Sequence, residues 1–219
     1  VAAIASHTRE NESVLLIPGL WMVGDVMRVL AHQLRDAGFT TETFSYRMLR
    51  AGLEANCRRL QQRISSSSHQ RLHLVGHSLG GVLALQTLNR YPAAITGRVV
   101  CLGSPLLNTI AGRSLATSRI GSRMLGRTLP EAVFEHPLEI WRGAQDLGVV
   151  AGSVGAGLGM LVTRRLKRPH DGVVEIAETC LPGITDHIEL RVNHLGLLLS
   201  KDAARQTAHF LHHGRFRHA

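Results

Sequence analysis

The sequence predicts an α/β fold, with a mostly parallel central sheet of about six strands flanked by helices. Short apolar runs of strand length stop at glycine or proline, as expected for strands buried on both faces of a parallel sheet. Segments with apolar residues three to four positions apart lie between these runs, and this alternation is typical of βαβ units. The chain has 219 residues, 44% of them hydrophobic, so we expect one core and a single domain over residues 1–219.

Six segments have the composition of strands. The first is β-branched and apolar and closes with Pro18-Gly19. The second alternates and is rich in threonine, which favours extended backbone. The segment before Gly76 is an alternating apolar run, and the segment before Gly103 is apolar after Arg98. The predicted strands are residues 14–17, 39–46, 71–75, 98–102, 138–142 and 188–192.

Helical spacing of apolar residues fills most of the intervals between these strands. Asp25 caps the first predicted helix and Gly38 ends it. Two regions, residues 106–137 and 143–169, follow neither periodicity over most of their length. The predicted helices cover residues 26–37, 53–64, 79 to about 89, 174–179 and 200–213.

The prediction of function depends on one segment, Gly76-His77-Ser78-Leu79-Gly80-Gly81. A predicted strand ends just before Ser78 and a predicted helix begins just after it, so the serine lies at an abrupt turn. Glycines on both sides remove side chains that would collide there, and the turn presents the serine oxygen at the top of the sheet. Gly-x-Ser-x-Gly also arises by chance in a chain with 22 glycines. The strand–turn–helix context is what favours a nucleophile.

This segment resembles the nucleophile elbow of α/β-hydrolases, in the Gly-His-Ser-Leu-Gly-Gly form common in lipases and esterases. The resemblance extends from residue 14 to about residue 211. It implies an α/β-hydrolase fold that cleaves carboxylic esters through an acyl-enzyme on Ser78. It also implies that no metal or organic cofactor is needed. In this family an aspartate or glutamate follows the serine in the chain, and a histidine follows the acid.

His194 is the predicted base among 13 histidines. It follows the last predicted strand, and the catalytic groups of open parallel sheets gather at the carboxyl ends of strands. His187 begins that strand and would lie at the opposite edge of the sheet. The histidines of the closing helix are more typical of surface positions. The stretch Asn193-His194-Leu195-Gly196 also resembles the catalytic-histidine loop of bacterial lipases.

Two aspartates compete for the role of the acid. Asp146 follows the predicted strand 138–142, where many α/β-hydrolases carry it. Asp171 lies in His170-Asp171-Gly172-Val173-Val174, which resembles the Asp-Gly-Leu-Val of bacterial true lipases. Asp171 precedes His194 by 23 residues, enough for one helix, one strand and two turns, whereas Asp146 precedes it by 48. The spacing favours Asp171 and leaves Asp146 as the alternative.

An oxyanion hole needs two backbone N–H donors aimed at the developing negative oxygen. The first predicted donor is Leu79, the residue after the nucleophile. The second is Leu20, in the loop Pro18-Gly19-Leu20-Trp21 after the first strand. Family members often have His-Gly in this loop; Pro18 departs from that pattern, which changes the support of the loop but leaves the donor. Trp21 is a candidate for the core or for the acyl pocket.

Residues 106–137 are a candidate lid or cap insertion, because lids in lipases occupy this part of the chain. Arg119, Arg123 and Arg127 share one face of a predicted helix. One interpretation is a cationic amphipathic lid that meets anionic or lipid interfaces. The other is an ordinary solvated helix face.

The chain is strongly basic, with a net charge of +9 and a pI of about 10.9. This charge favours anionic surfaces, so we expect a small-molecule or lipid ester as substrate and transient contact with an anionic lipid surface. Aromatic residues are only 4% of the chain, so nucleic acid is not expected as a partner. The three cysteines, with no close pairing, and the absence of a visible signal-peptide pattern favour the cytoplasm, although the chain lacks an initiator Met.

The predicted function is therefore a carboxylic ester hydrolase, an esterase or lipase. A thioesterase or an acyltransferase would use the same triad, and the sequence does not separate them. The alternative of another class is a non-catalytic hydrolase-fold binding protein, which would usually have lost Ser78, His194 or the acid. His209 and His213 lie one helical turn apart without a third ligand, so no metal site is predicted.

Overall fold

The fold is built on a six-stranded sheet in which all neighbouring strands are parallel. The computed structural model describes residues 12–20, 27–92, 97–117, 119–156 and 166–218. The strands, in chain order, are β1 (Glu12–Ile17), β2 (Thr40–Thr43), β3 (Arg71–His77), β4 (Val99–Leu102), β5 (Leu147–Gly152) and β6 (Asp186–Leu190). Their order across the sheet is β2-β1-β3-β4-β5-β6. The predicted α/β fold with about six mostly parallel strands is confirmed.

Helices lie on both faces of this sheet. Those of the described residues are α1 (Met27–Asp36), α2 (Leu53–Ser65), α3 (Leu79–Arg90), α4 (Ile110–Ala116), α5 (Arg119–Leu125), a π-helix (Pro130–Glu135), α6 (Ile176–Thr179), α7 (Gly196–Leu199) and α8 (Lys201–His213). The predicted helices are present at their expected places. Asp25, the predicted cap of α1, and Trp21 lie outside the described residues.

Alternate residues of each central strand contribute to two separate cores. Leu15 and Ile17 of β1 pack with buried side chains of α2 and α3. Val14 and Leu16 point to the other face and pack with α1 and α8. Successive side chains of a strand face opposite sides of the sheet, so residues 14–17 of β1 are all apolar and fill both cores.

The predicted strand at residues 138–142 is wrong, and the fifth strand is β5, at residues 147–152. Leu138 and Trp141 are buried in the core that contains α2 and α3, but they reach it from irregular backbone. All six residues of β5 are buried. Both faces of a strand inside a parallel sheet are covered, so such a strand is continuously apolar. The last strand also begins two residues earlier than predicted, at Asp186. The shift of the fifth strand moves Asp146 from after a strand to before one.

The candidate lid region, residues 106–137, contains α4, α5 and the π-helix. Much of it is packed onto the body of the protein, with Leu125, Leu129 and Val133 buried. The Gln86 side chain on α3 donates to the carbonyl of Ala132, at 3.0 Å. That the region acts as a lid stays a prediction. Within the described residues, no helix combines the length and apolarity needed to cross a membrane.

Candidate active site

Ser78 lies at the junction between β3, which ends at His77, and α3, which begins at Leu79. Its backbone has φ 53° and ψ −124°. Among the described residues it is the one non-glycine residue with positive φ. L-residues rarely adopt this region, and residues held there concentrate at functional sites. The turn is held by two hydrogen bonds, from Ser78 N–H to the Leu102 carbonyl (2.9 Å) and from Gly81 N–H to the Ser78 carbonyl (3.1 Å).

Close backbone contacts explain why glycines flank this serine. A Cβ on Gly76 would overlap the backbone of Gly81 in the first turn of α3. A Cβ on Gly80 would overlap the carbonyl oxygen of Ile17 at the end of β1. Without side chains at these positions, α3 can begin directly against the sheet.

The loop after β1 lies against the nucleophile. A Cβ on Gly19 would be 2.8 Å from the Cβ of Ser78 and 3.1 Å from the carbonyl oxygen of His77. Leu20 follows in the same loop and is half-buried, and Leu79 is buried at the first position of α3. The structure thus brings the segments of both predicted oxyanion donors to Ser78.

Asp171 and His194 form a hydrogen-bonded pair. The Asp171 Oδ2 atom is 2.7 Å from His194 Nδ1. The backbone N–H of His194 also donates to the backbone carbonyl of Asp171, at 2.9 Å. The second carboxylate oxygen, Oδ1, accepts from the N–H groups of Val173 (2.9 Å) and Val174 (2.7 Å). Asp171 is 1% exposed. These partners are all donors, so the carboxylate has a fixed orientation and presents Oδ2 to the imidazole.

This pair lies at the carboxyl ends of the central strands. Gly103 directly follows β4 with φ +54°, and a Cβ there would be 3.0 Å from Asp171 Oδ2 and 3.1 Å from His194 Nδ1. A Cβ on Gly152, the last residue of β5, would be 2.8 Å from the Cβ of Asp171. Sequence reasoning missed Gly103 as part of the site. Its signal was a glycine directly after a buried strand, which marks a close approach by another group.

The structure does not bring Asp146 to His194. Asp146 precedes β5, so it lies at the amino end of that strand, whereas His194 follows the carboxyl end of β6. Its Oδ2 atom is 2.9 Å from Arg98 Nε, and its side chain is 47% exposed. This geometry is that of an ordinary surface ion pair. His187 lies on β6, where its ring is 2.9 Å from the Thr179 hydroxyl.

His77 is a fully buried neighbour of the site that sequence reasoning also missed. Its Nε2 atom is 3.0 Å from the carbonyl oxygen of His194, and the two rings are 4.5 Å apart. A carbonyl only accepts, so Nε2 carries the proton. Burial, aided by the positive charge that His194 has when it is protonated, lowers the pKa of His77 to about 3, so His77 is neutral at neutral pH. His77 links the segment of the serine to that of the histidine.

Glu178 is a buried carboxyl group near the aspartate. One of its oxygens accepts from the N–H of Ile110 (2.6 Å) and the other from the N–H of Glu175 (2.9 Å). Burial raises the pKa of Glu178 to about 7 despite these two donors, and the charges of Glu175 and Asp171 act in the same direction. The side chain joins α6 to the start of α4, in the candidate lid region.

This raised pKa predicts a pH-dependent difference in stability between the wild type and Glu178→Gln. Between pH 4.5 and about 7 the folded protein holds a proton that the unfolded chain has lost. The free energy of unfolding of the wild type should therefore fall as pH rises through this window, relative to the variant, by up to about 3 kcal/mol. Urea unfolding at pH 5 and pH 8 measures the change. The exposed Glu139→Gln variant should follow the wild type, and a Glu178→Gln profile parallel to the wild type would contradict the prediction.

Within the described part of the chain, no cluster of three or more His, Cys, Asp or Glu side chains is placed to hold a metal ion. The carboxyl edge of the sheet instead holds Ser78 with the loop after β1 against it, and the hydrogen-bonded pair of His194 and the buried Asp171 carboxylate beside Gly103. This set of groups suits proton transfer and the stabilisation of an oxyanion.

Comparisons with known proteins concern the family and the fold of the chain. A family model described as "Alpha/beta hydrolase family" matches residues 14–211. A search of curated proteins finds no match.

Solved structures show similar folds at low sequence identity. The lipase BlEst2 of Bacillus licheniformis, in mature form, superposes with a TM-score of 0.65 at 15% identity, covering 92% of this chain and 91% of the lipase. MGS-MChE2, an alpha/beta hydrolase enzyme from a lagoon-sediment metagenome, has a TM-score of 0.60 at 16% identity, covering 91% of this chain and 90% of that enzyme. The type II thioesterase BorB from the borrelidin biosynthetic cluster has a TM-score of 0.58 at 13% identity, covering 94% and 93% of the two chains. At these identities the similarity concerns the fold.

Proposed function

Because this chain belongs to the alpha/beta hydrolase family, we propose that it is a serine hydrolase that cleaves carboxylic esters through an acyl-enzyme on Ser78. The observation that carries the proposal is the buried Asp171–His194 pair at the edge of the sheet where Ser78 lies in a strained turn. A serine hydroxyl is a weak nucleophile until a base accepts its proton and a third group orients that base.

In the first half of the reaction, the Ser78 oxygen attacks the acyl carbon while His194 Nε2 accepts the hydroxyl proton. Asp171 accepts from the Nδ1–H, which leaves Nε2 as the nitrogen with a free lone pair. The N–H groups of Leu20 and Leu79 bind the negative oxygen of the tetrahedral intermediate. His194 then returns the proton to the leaving alcohol, and the acyl-enzyme remains.

In the second half, water takes the place of the alcohol. His194 accepts a proton from water, the hydroxide oxygen attacks the acyl carbon, and the bond to the Ser78 oxygen breaks as that oxygen regains its proton. The products are a carboxylic acid and the free enzyme. A thioesterase or an acyltransferase would follow the same steps with a different leaving group or acceptor. Similarity to the thioesterase BorB keeps the thioesterase as the second candidate.

The experiment is labelling with a fluorophosphonate probe, followed by turnover of p-nitrophenyl esters of increasing chain length and of matched acyl thioesters. We expect one label per chain, on Ser78, and higher kcat/KM for esters. Higher kcat/KM for thioesters with Ser78 labelled would favour the thioesterase. Folded protein in which Ser78 does not label would overturn the enzyme proposal and favour a non-catalytic binding protein.

We also propose that residues 106–137 form a cap whose exposed Arg119, Arg123 and Arg127 meet an anionic lipid surface. The start of this region is attached near the Asp171 segment, because Leu106 and Leu107 donate to the Glu178 carbonyl at 2.8 and 3.0 Å. Each arginine near an anionic surface contributes about 1 kcal/mol.

Replacing these three arginines by glutamine should therefore weaken binding to anionic vesicles by roughly a hundredfold. Co-sedimentation of the wild type and the variant with anionic and with zwitterionic vesicles measures this binding. As a control, turnover of a soluble short-chain ester by the variant should be unchanged. If the variant binds vesicles as the wild type does, and activity on long-chain esters does not rise when the substrate aggregates, the cap proposal is wrong.

A further inference from the structure

We propose that Tyr46 is a positioning residue for the oxyanion hole, acting through the carbonyl group of Pro18. This inference rests on the proposed function, since it concerns how the loop that carries the Leu20 N–H is held. The Tyr46 hydroxyl donates to the Pro18 carbonyl oxygen at 2.9 Å. The contact is buried and joins residues 28 positions apart in the chain.

The placement of Tyr46 follows from the pairing of β1 with β2. The two strands run parallel, and the last register pair is Leu16 with Thr43. The Phe44 N–H continues the pairing by donating to the Leu16 carbonyl at 2.8 Å. The chain after β2 therefore runs beside the loop after β1, and Tyr46 reaches that loop from the side.

The tyrosine ring is held firmly enough to act as an anchor. Tyr46 is buried, and its ring stacks on the ring of Phe44, with centroids 5.9 Å apart and planes 9° from parallel. Burial also raises the pKa of the Tyr46 hydroxyl, so the group stays protonated and available as a donor.

The loop needs an anchor at the Pro18 carbonyl. Proline has no N–H, so the residue cannot be tethered through a donor of its own. Gly19 follows with wide backbone freedom, and it lies against Ser78. The Pro18 carbonyl oxygen is also close to α3, since a Cβ on Gly80 would be 2.7 Å from it. The carbonyl is therefore held between the Tyr46 hydroxyl and the first turn of α3, which fixes where the next peptides place the Leu20 N–H.

A misplaced N–H donor stabilises the transition state less than one aimed at the oxyanion. The binding of the substrate in its ground state depends much less on that donor. Removing a whole oxyanion donor costs roughly 10²–10³ in kcat. Loosening one donor should cost a part of this. We expect Tyr46→Phe to lower kcat by roughly tenfold and to change KM by less than about twofold.

The second of the two tyrosines provides a matched control. The Tyr91 hydroxyl donates to a Glu54 carboxylate oxygen at 3.0 Å, in an exposed position. Tyr91→Phe removes the same oxygen atom from the same type of residue and should leave kcat and KM unchanged. Expressing kcat per serine labelled by the fluorophosphonate excludes unfolded protein from both measurements.

A second readout separates positioning from a structural role. An alkyl trifluoromethyl ketone forms a tetrahedral adduct with an active serine and places its oxyanion in the hole. Its affinity should fall by about the same factor as kcat in Tyr46→Phe and stay unchanged in Tyr91→Phe. Wild-type kcat, or wild-type ketone affinity, in Tyr46→Phe would overturn the inference while leaving the proposed hydrolase intact. A wild-type protein that neither labels at Ser78 nor turns over an ester would overturn both.

Discussion

Replacing Ser78 by alanine should lower the turnover of an ester substrate by about 10⁶-fold, to a rate set by binding and the oxyanion hole alone. Ser78 supplies the oxygen that attacks the acyl carbon in the proposed mechanism, and no other group replaces it. The substitution removes one oxygen atom and keeps the Cβ, so the strained turn between β3 and α3 meets no new contact. Initial rates with a p-nitrophenyl ester, at enzyme concentrations that reveal the residual rate, measure the effect.

The matched controls for this prediction are a surface serine and the proposed base. Ser68→Ala, at an exposed position, should keep the wild-type rate and label fully with the fluorophosphonate. His194→Ala should cost about as much as Ser78→Ala, and the double variant little more, because the groups act as one unit. A Ser78→Ala protein that keeps even a hundredth of the wild-type kcat would exclude Ser78 as the nucleophile.

Replacing Asp171 by asparagine should lower kcat at neutral pH by about 10⁴-fold. The hydrogen bonds of the aspartate give the reason. Two backbone donors, from Val173 and Val174, point at Oδ1, so the amide oxygen of the introduced side chain would take that position. Its NH₂ group would then face His194 Nδ1, where the aspartate now accepts at 2.7 Å. The imidazole would be held with its proton on Nε2 and could not accept the proton of Ser78.

Asp146→Asn provides the comparison that separates the two aspartates. It exchanges the same atoms at the other predicted position, in an exposed ion pair with Arg98. We expect its kcat to match the wild type and its free energy of unfolding to change by no more than about 1 kcal/mol. Steady-state kinetics and urea unfolding of both variants test this. A larger loss of activity in Asp146→Asn than in Asp171→Asn would reverse the assignment of the acid.

The error in the fifth predicted strand shows why a local pattern of residue types is not enough to locate every strand. Residues 138–142 mix apolar with charged side chains, residues 147–152 are apolar or glycine, and only the second segment is a strand. Leu138 and Trp141 are buried, but the backbone N–H of Trp141 donates to the Pro182 carbonyl, outside the sheet. Which apolar segment pairs with β4 depends on partners distant in the chain. Periodicity over five or six residues does not contain that information.

Local sequence did determine the fold class and the strand-to-helix turn at Ser78. The buried strands are rich in apolar residues, the segments between them have apolar residues at helical spacing, and one serine has glycines on both sides. Each of these features involves residues that are close together in the chain, so a window of a few residues is enough to recognise it. The order serine, aspartate, histidine is likewise present in the sequence, although it left Asp146 and Asp171 as alternatives.

Tertiary structure alone decided which groups meet. It places Asp171 and Gly103 beside His194, leaves Asp146 at the opposite end of β5, and joins Tyr46 to Pro18. These contacts depend on strand order and register, which result from packing the whole chain into two cores. A side chain's chemistry can be read from its type, but its partners are set by the sheet that brings distant segments to one edge.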